Sequence, residues 1–171
     1  MQSFLNPKEI LEKLKLTEEM KGIDLGSGSG GWAIPLAKIL EEGRVYAVDV
    51  LEEPLSALKS KANLERITNI ETIIADVEKR IKLPDETADI VLITNLLFQC
   101  YDKNGVIAEA KRLLKPKGKI LIVDWIKDNP ATGEIEKVSF EGIKYFIKSQ
   151  GLKIEKEFPA GAYHLALILV K

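Results

Sequence analysis

A short apolar stretch runs directly into a cluster of glycines in GIDLGSGSGGWAIPLA, residues 22–37. This feature constrains the fold strongly, because a glycine-rich turn lets the backbone approach a ligand and the helix after it offers free N–H groups. Gly26, Gly28 and Gly31 fit the dinucleotide-binding spacing G-x-G-x-x-G. Gly26, Gly28 and Gly30 fit the spacing G-x-G-x-G equally well. The segment predicts a strand, a turn and a helix that hold an adenosine-bearing ligand.

The rest of the chain repeats a strand-then-helix pattern five times and then changes character. The predicted strands are residues 22–25, 44–50, 70–77, 88–95 and 118–125, and the last two segments, 152–158 and 163–171, are predicted to form a hairpin. Continuous apolar runs such as IVLIT and ILIV are typical of parallel strands that are buried on both faces. The pattern predicts an α/β fold in which five parallel strands place their carboxyl ends on one edge, where ligands bind.

Several helix ends carry residues with known capping or breaking preferences. Asn6 is predicted to cap a helix that runs to about Leu16, and Pro54 is predicted to begin another. Asp102 is predicted to cap the helix before the fifth strand. Ser139 is predicted to cap the last helix, which ends before Gly151. The first helix and the loop at residues 126–137 are the expected covers of the ligand site.

Length, charge and apolar content restrict the domain organisation, the partners and the cellular location that can be expected. The 171 residues predict a single domain spanning residues 1–171, with residues 1–20 as a short N-terminal helical segment. Lys and Arg number 25 against 26 Asp and Glu, so the net charge of −1 gives no strong signal for nucleic-acid binding. No run approaches the roughly 18 apolar residues of a membrane span. We therefore expect a soluble, cytoplasmic protein, and the residues predict no particular oligomeric state.

Acidic residues around the glycines separate the two candidate ligand classes, nicotinamide cofactors and S-adenosylmethionine. Asp24 lies in the first strand, two residues before Gly26, where a carboxylate would repel a pyrophosphate but would suit an ammonium group. Asp49 ends the second strand and could accept two ribose hydroxyls from either ligand. Asp76, at the end of the third strand, could accept a hydrogen bond from an adenine amino group. The terminal hairpin, in place of a parallel sixth strand, also favours S-adenosylmethionine.

At this point the chain resembles a class I S-adenosylmethionine-dependent methyltransferase. The segments IDLGSGSG, AVDV, IIADV, LITNLLFQ and LLKPKGKILIVDW follow the order and spacing of that family over nearly the whole length. The likeness is strongest to the small-molecule branch related to quinone-biosynthesis methyltransferases. It implies a Rossmann-like, doubly wound α/β sheet of seven strands in the order 3-2-1-4-5-7-6. That sheet would be mostly parallel, with the last strand antiparallel.

The resemblance also implies roles for individual residues. The loop that contains Asp24, Gly26, Ser27, Gly28 and Gly30 should hold the methionyl part, with Asp24 near its ammonium group. Asp49 should hold the ribose hydroxyls, and Asn95 should face the sulfonium and the methyl acceptor. The residues expected around the adenine are Val50, which should pack on the ring, Asp76, which should meet its amino group, and Val77, which should flank it. S-adenosylmethionine is the expected cofactor, and S-adenosylhomocysteine is the product.

His164 and Asn95 are the candidate catalytic residues. His164 opens the last predicted strand, and an antiparallel last strand begins at the edge where the parallel strands end, so His164 is a candidate general base. The alternative is a histidine that only pairs with a nearby carbonyl group. One His and one Cys, Cys100, predict no zinc site. A magnesium site is also disfavoured, because the fourth strand ends in Asn95 although Asp124 lies near the end of the fifth.

The sequence favours a small, partly apolar methyl acceptor. Residues 95–98 match the ends of the [DNS]-P-P-[YFW] motif of amino-methylating enzymes but lack its prolines, which speaks against a nucleobase acceptor. Two alternatives stay open. The first is a non-catalytic partner protein that binds S-adenosylmethionine, and the second is a methyltransferase that acts on a protein or RNA.

Overall fold

Seven apolar segments form a single sheet in the computed structural model, which describes residues 5–128 and 137–171. The strands are β1 (Lys21–Leu25), β2 (Arg44–Asp49), β3 (Ile70–Ile74), β4 (Ala88–Thr94), β5 (Leu114–Trp125), β6 (Lys153–Ala160) and β7 (His164–Val170). The helices are α1 (Pro7–Leu11), α2 (Ala33–Ile39), α3 (Glu52–Leu64), α4 (Lys103–Leu113) and α5 (Phe140–Ser149). Short 3-10 turns cover Glu12–Leu14 and Leu97–Gln99.

The strand order of the sheet is β3-β2-β1-β4-β5-β7-β6, which confirms the predicted fold class. Strands β1 to β5 are parallel, and β7 is antiparallel to both of its neighbours, β5 and β6. The register pairs Asp124 with Leu165 and Trp125 with His164. The first residue of β7 therefore lies at the carboxyl edge, beside the end of β5.

Helices cover both faces of the sheet. On one face α1, α2 and α3 pack on alternate strand residues, and Leu36, Leu58 and Leu92 are fully buried there. On the other face α4 and α5 pack on the remaining strand residues, among them Ile93 and Ile122. Burial on both faces explains why β4 and β5 are continuous apolar runs rather than alternating ones.

The connection between β3 and β4 differs from the predicted repeat, because residues 75–87 form turns and no helix. Asp102 caps α4 as predicted, with its side chain accepting a hydrogen bond from the Gly105 N–H at 2.8 Å. Ser139 lies at the N-cap of α5 but makes no side-chain capping hydrogen bond in the described structure. Helix α3 begins at Glu52, two residues before Pro54.

Two further expectations concern the surroundings of the sheet. Residues 129–136, which make up most of the predicted cover loop, lie outside the described residues. Within residues 5–128 and 137–171, none of the helices has the length and apolar character needed to span a bilayer.

Candidate functional site

The glycine loop folds back onto the end of β2. The backbone N–H groups of Gly26 and Ser27 both donate to the Val48 carbonyl oxygen, at 2.8 and 2.9 Å. Gly26 has a φ of +70°, and a Cβ added there would lie 2.7 Å from Leu96 Cδ1. Glycine at this position therefore satisfies both the left-handed backbone and the close approach of Leu96.

Asp49 joins the end of β2 to the glycine loop. Its Oδ2 atom accepts a hydrogen bond from the Gly28 N–H at 2.8 Å, and its Oδ1 atom accepts one from the Leu51 N–H at 3.0 Å. Each carboxylate oxygen has a second lone pair, so these two contacts leave further acceptor capacity. The carboxylate is thus fixed by backbone groups and can still accept hydroxyl donors.

A pocket of about 460 Å³ opens between the glycine loop, the end of β2 and the segments that follow β3 and β4. Its lining contains five of the predicted cofactor residues, which are Gly26, Asp49, Val50, Asp76 and Val77. It also contains Leu51, Pro54, Glu78, Leu96, Gln99 and Cys100. Three carboxylates and no Lys or Arg belong to this lining as the described residues form it. Such a wall disfavours a pyrophosphate and leaves apolar surface for a flat ring.

Asp24 lies beside this pocket but not in its lining. The side chain is 0% exposed, and neither carboxylate oxygen has a hydrogen-bond partner among the described residues. Burial raises the pKa of Asp24 to about 8, the charge of Asp49 adds to the rise, and the nearby Ala33 amide opposes it. The hydroxyl group of Ser27, in the same loop, is also buried without a partner. Buried polar groups are normally paired, so this pattern marks a site for a polar ligand.

Asp76 lines the pocket and is also tied to its own loop. Its Oδ1 atom accepts a hydrogen bond from the Glu78 N–H at 3.0 Å, and its Oδ2 atom lies 3.1 Å from the Lys79 ammonium nitrogen. These contacts lower the pKa of Asp76, the Glu78 amide more than Lys79. Val50, 61% exposed, and the nearly buried Val77 lie in the same lining. Asp76 thus has a turn-forming contact in addition to its place in the pocket.

Asn95 follows β4 directly and has a left-handed backbone, with a φ of +50°. Its N–H donates to the Val123 carbonyl oxygen at 2.8 Å, which extends the parallel pairing with β5 by one residue. Its side-chain oxygen is buried and has no partner among the described residues. A non-glycine residue with positive φ and an unpaired polar atom at a strand end is a common sign of a functional position.

Asp124, at the end of β5, was considered from the sequence only as a possible magnesium ligand. The side chain is fully buried, and its Oδ2 atom accepts a hydrogen bond from the Leu97 N–H at 2.8 Å. Its Oδ1 atom accepts one from the Trp125 N–H at 2.8 Å. Burial raises the pKa of Asp124 to about 6, and backbone amides oppose the rise. The sequence feature that could have pointed to Asp124 is an acidic residue near the end of an apolar strand, at the edge of the predicted ligand site.

His164 lies at the carboxyl edge, as topology predicted, but outside the pocket lining. The imidazole is 5% exposed, and its ring centroid lies 3.9 Å from that of Trp125. Burial lowers the pKa of His164 to about 4, so the ring is neutral at pH 7. Its Nε2 atom is buried without a partner among the described residues. A neutral ring can accept a proton, although this pKa makes it a weak base.

Cys100 and the clustered acidic groups of the described residues bear on whether thiol or metal chemistry is available. Burial raises the pKa of the Cys100 thiol to about 11, and its sulfur donates to the Leu96 carbonyl oxygen at 3.3 Å. The acids whose oxygens could meet at a single ion, as far as the described residues show, are Glu18, Glu19 and Glu42. These three are exposed and do not line the pocket. That the pocket works without a metal stays a prediction.

Comparison with known proteins now adds to this geometry. A family model described as "Methyltransferase domain" matches residues 16–157, which is most of the chain. The chain belongs to this methyltransferase-domain family. Its fold and its resemblance to class I methyltransferases are thereby confirmed, and S-adenosylmethionine is the cofactor that the family implies.

Three relatives illustrate the likeness. The solved structure of a SAM dependent methyltransferase from Aquifex aeolicus has a TM-score of 0.87 and 27% identity, covering 97% of this chain and 89% of that one. The demethylmenaquinone methyltransferase of Geobacillus sp. strain WCH70 is 25% identical over 81% of this chain and 56% of its own length. The ubiquinone/menaquinone biosynthesis C-methyltransferase UbiE of Shewanella piezotolerans is 33% identical over 63% of this chain and 43% of its own length. The chain thus spans about half the length of these curated relatives.

The residues of this methyltransferase-domain chain fit S-adenosylmethionine. The two unpaired oxygens of Asp24 match the need of an ammonium group for a buried acceptor. The acceptor capacity of Asp49 matches a pair of ribose hydroxyls, and the apolar lining beside Asp76 matches an adenine ring. Each residue's contact with the cofactor stays a prediction.

Proposed function

We propose that this chain is an S-adenosylmethionine-dependent methyltransferase that transfers a methyl group to a small, partly apolar acceptor. The observation that carries the proposal is the acid-lined pocket over the glycine loop, with the unpaired Asp24 carboxyl beside it. The named activities of the curated relatives, which concern demethylmenaquinone and the biosynthesis of ubiquinone and menaquinone, support the same acceptor class.

In this proposal the loop from Asp24 to Gly30, including Ser27 and Gly28, holds the methionyl part. Asp49 binds the ribose hydroxyls, and Val50 packs on the adenine. Asp76 accepts a hydrogen bond from the adenine amino group, and Val77 flanks the ring. When bound, S-adenosylmethionine supplies a methyl group on a positively charged sulfur that is already activated for in-line displacement. The chain's own contribution is alignment of the two reactants and exclusion of water, which can supply several kcal/mol.

Asn95 and His164 are the proposed catalytic residues. The buried, unpaired oxygen of Asn95 offers an acceptor for a polar hydrogen of the methyl acceptor. The neutral His164 ring offers a proton acceptor at Nε2, which a hydroxyl or phenol would need and a carbon or amine nucleophile would need less. Residues 1–171 act as one domain in this proposal, and a cytoplasmic location stays a prediction.

A turnover assay with fractionated acceptors tests the proposal. The purified chain is incubated with tritium-labelled S-adenosylmethionine and a cell lysate that has been separated by size. We expect S-adenosylhomocysteine and label to form with the small-molecule fraction. Label in protein or RNA would favour a macromolecular acceptor. Tight cofactor binding without turnover in any fraction would favour a non-catalytic partner protein.

A further inference from the structure

A buried carboxylate stands behind the segment that follows β4. Asp124 is 0% exposed, and its two oxygens accept hydrogen bonds from the Leu97 and Trp125 amides, each at 2.8 Å. The amides of Leu96 and Phe98 also face this carboxylate and favour its charged form. Hydrogen bonds from N–H groups to an ionised acceptor are stronger than neutral ones.

This carboxylate takes the place of a missing helix cap. The 3-10 turn Leu97–Gln99 has Leu96 at its N-cap, and Leu96 has no side-chain oxygen that could accept the first amide of the turn. Asp124 supplies that acceptor from the neighbouring strand. The chain enters the turn through Asn95, which has a left-handed backbone.

The anchored turn forms one wall of the pocket. Leu96, Gln99 and Cys100 all belong to the lining. The Leu96 side chain lies so close to Gly26 that a single added Cβ would be 2.7 Å away from it. A small displacement of the turn would therefore change the contact between this wall and the glycine loop. Misplacement by about 1 Å is enough to weaken binding or catalysis strongly.

We propose that Asp124 is a positioning residue, which anchors the turn after β4 and so fixes the pocket wall that faces the glycine loop. This inference rests on the proposed function, because it assigns the wall to S-adenosylmethionine binding. Asp124 acts through the Leu96–Cys100 segment and has no contact with the cofactor in this account.

A purely structural role makes a different prediction. If Asp124 served only the stability of the fold, Asp124→Asn would lower the melting temperature of the free protein, because one buried amide would lose its acceptor, and would leave the affinity for S-adenosylmethionine unchanged. In the positioning role that affinity also falls, because the anchor needs two acceptor oxygens and asparagine keeps only one.

The test compares Asp124→Asn and Asp124→Ala with a matched control, Asp89→Asn. Asp89 lies in β4 near the opposite edge, where its Oδ2 atom accepts a hydrogen bond from the Lys21 N–H at 2.8 Å and both oxygens pair with Lys115. The dissociation constant for S-adenosylmethionine and the melting temperature of the free protein are measured for each variant at pH 7.5. We expect affinity to fall about tenfold in Asp124→Asn and further in Asp124→Ala. The affinity of Asp89→Asn should stay within about twofold of the wild type. Asparagine at position 124 should retain part of the affinity that alanine loses.

The outcomes separate the two proposals. Equal affinity in the wild type and Asp124→Asn would overturn the positioning role and leave the proposed function intact. Absence of S-adenosylmethionine binding in the wild type would overturn the proposed function, and this inference with it. If Asp124→Ala does not fold, Asp124→Asn decides. Unfolding of both variants would show that Asp124 serves folding and would also overturn the positioning role.

Discussion

Asp24 is a fully buried carboxyl group with no hydrogen-bond partner among the described residues. Burial raises its pKa to about 8, far above the ordinary value of 3.8. The folded protein therefore binds this proton more tightly than the unfolded chain does. It follows that this group's share of the stability of the unliganded protein is present at low pH and is lost as pH rises towards 8.

The same raised pKa predicts a proton linkage in cofactor binding. An ammonium group beside Asp24 needs the ionised form, so binding at pH 7 should release close to one proton from this carboxyl. Affinity should rise about tenfold per pH unit between pH 6 and 7 and level off near pH 8. Calorimetry in two buffers of different ionisation enthalpy measures the released proton. Asp24→Asn should abolish this release and Asp89→Asn should keep it, whereas release from Asp24→Asn would move the titrating group elsewhere.

Asp49 should contribute to affinity in two ways. Asp49→Ala removes the proposed ribose acceptor and also the contacts to the Gly28 and Leu51 amides. We expect binding to weaken by about 2 kcal/mol or more, since each hydrogen bond to a charged group contributes about 1.5–3 kcal/mol. A calorimetric titration of the variant checks this value. An unchanged dissociation constant would place the ribose contact on another residue.

His164→Ala tests the catalytic prediction. Turnover should fall about 100-fold or more with a hydroxyl or phenol acceptor, because no general base would remain in place. Cofactor affinity should stay nearly the same, because His164 does not line the pocket. Both constants are measured with the same acceptor. Turnover equal to that of the wild type would leave a transferase that works by alignment alone.

At the scale of single residues, the sequence predicted several of the residues that line the pocket, but it did not predict the hydrogen bonds that hold the pocket wall in place. Gly26 was predicted from the glycine spacing, Asp49 and Asp76 from the strand ends, and Val50 and Val77 from the family resemblance, and the structure brings all five into one pocket. The anchor formed by Asp124 was not predicted. It depends on hydrogen bonds between segments 27 residues apart in the chain, and no local pattern reports such contacts.

Helix α4 shows how a local signal can be read correctly from the sequence. Asp102 caps the helix through the Gly105 amide, as its position before an amphipathic segment indicated. Asp102→Ala should lower the free energy of unfolding by about 1 kcal/mol, because the capped amide loses its acceptor. Urea denaturation measures the change, and Asp102→Asn, which keeps a capping oxygen, should lose less. Equal stability of the alanine variant would contradict the role of the cap.

The connection between β3 and β4 shows where the strand-then-helix pattern fails. The fivefold pattern implied a helix there, although no residues were assigned to it from the sequence, and residues 75–87 form turns. Pro84 lies within this segment and is a local signal against a helix. The Arg112 guanidinium of α4 also stabilises the non-helical path, because it donates to the carbonyl oxygens of Ile81 and Leu83. This second contact cannot be read from the segment's own residues.

At the scale of the whole molecule, the sheet topology places the buried polar atoms that lack hydrogen-bond partners in the described structure at one edge of the sheet. Within the part of the chain that the structure describes, the buried side-chain polar atoms without partners belong to Asp24, Ser27, Asn95 and His164. These residues follow or belong to β1, β4 and β7, at the edge where the parallel strands end and β7 begins. The parallel pattern predicted this common edge from the apolar runs. The full strand order came only with the family resemblance, since apolar runs alone do not specify which strands are neighbours.

The most direct test of the account is a calorimetric comparison of two adenosine-bearing ligands at pH 7.5. The intact chain is titrated with S-adenosylmethionine and, separately, with NAD. The account predicts binding of S-adenosylmethionine, and much weaker or undetectable binding of NAD, because Asp49, Asp76 and Glu78 surround the pocket and would repel a pyrophosphate. Binding of NAD without binding of S-adenosylmethionine would contradict the account.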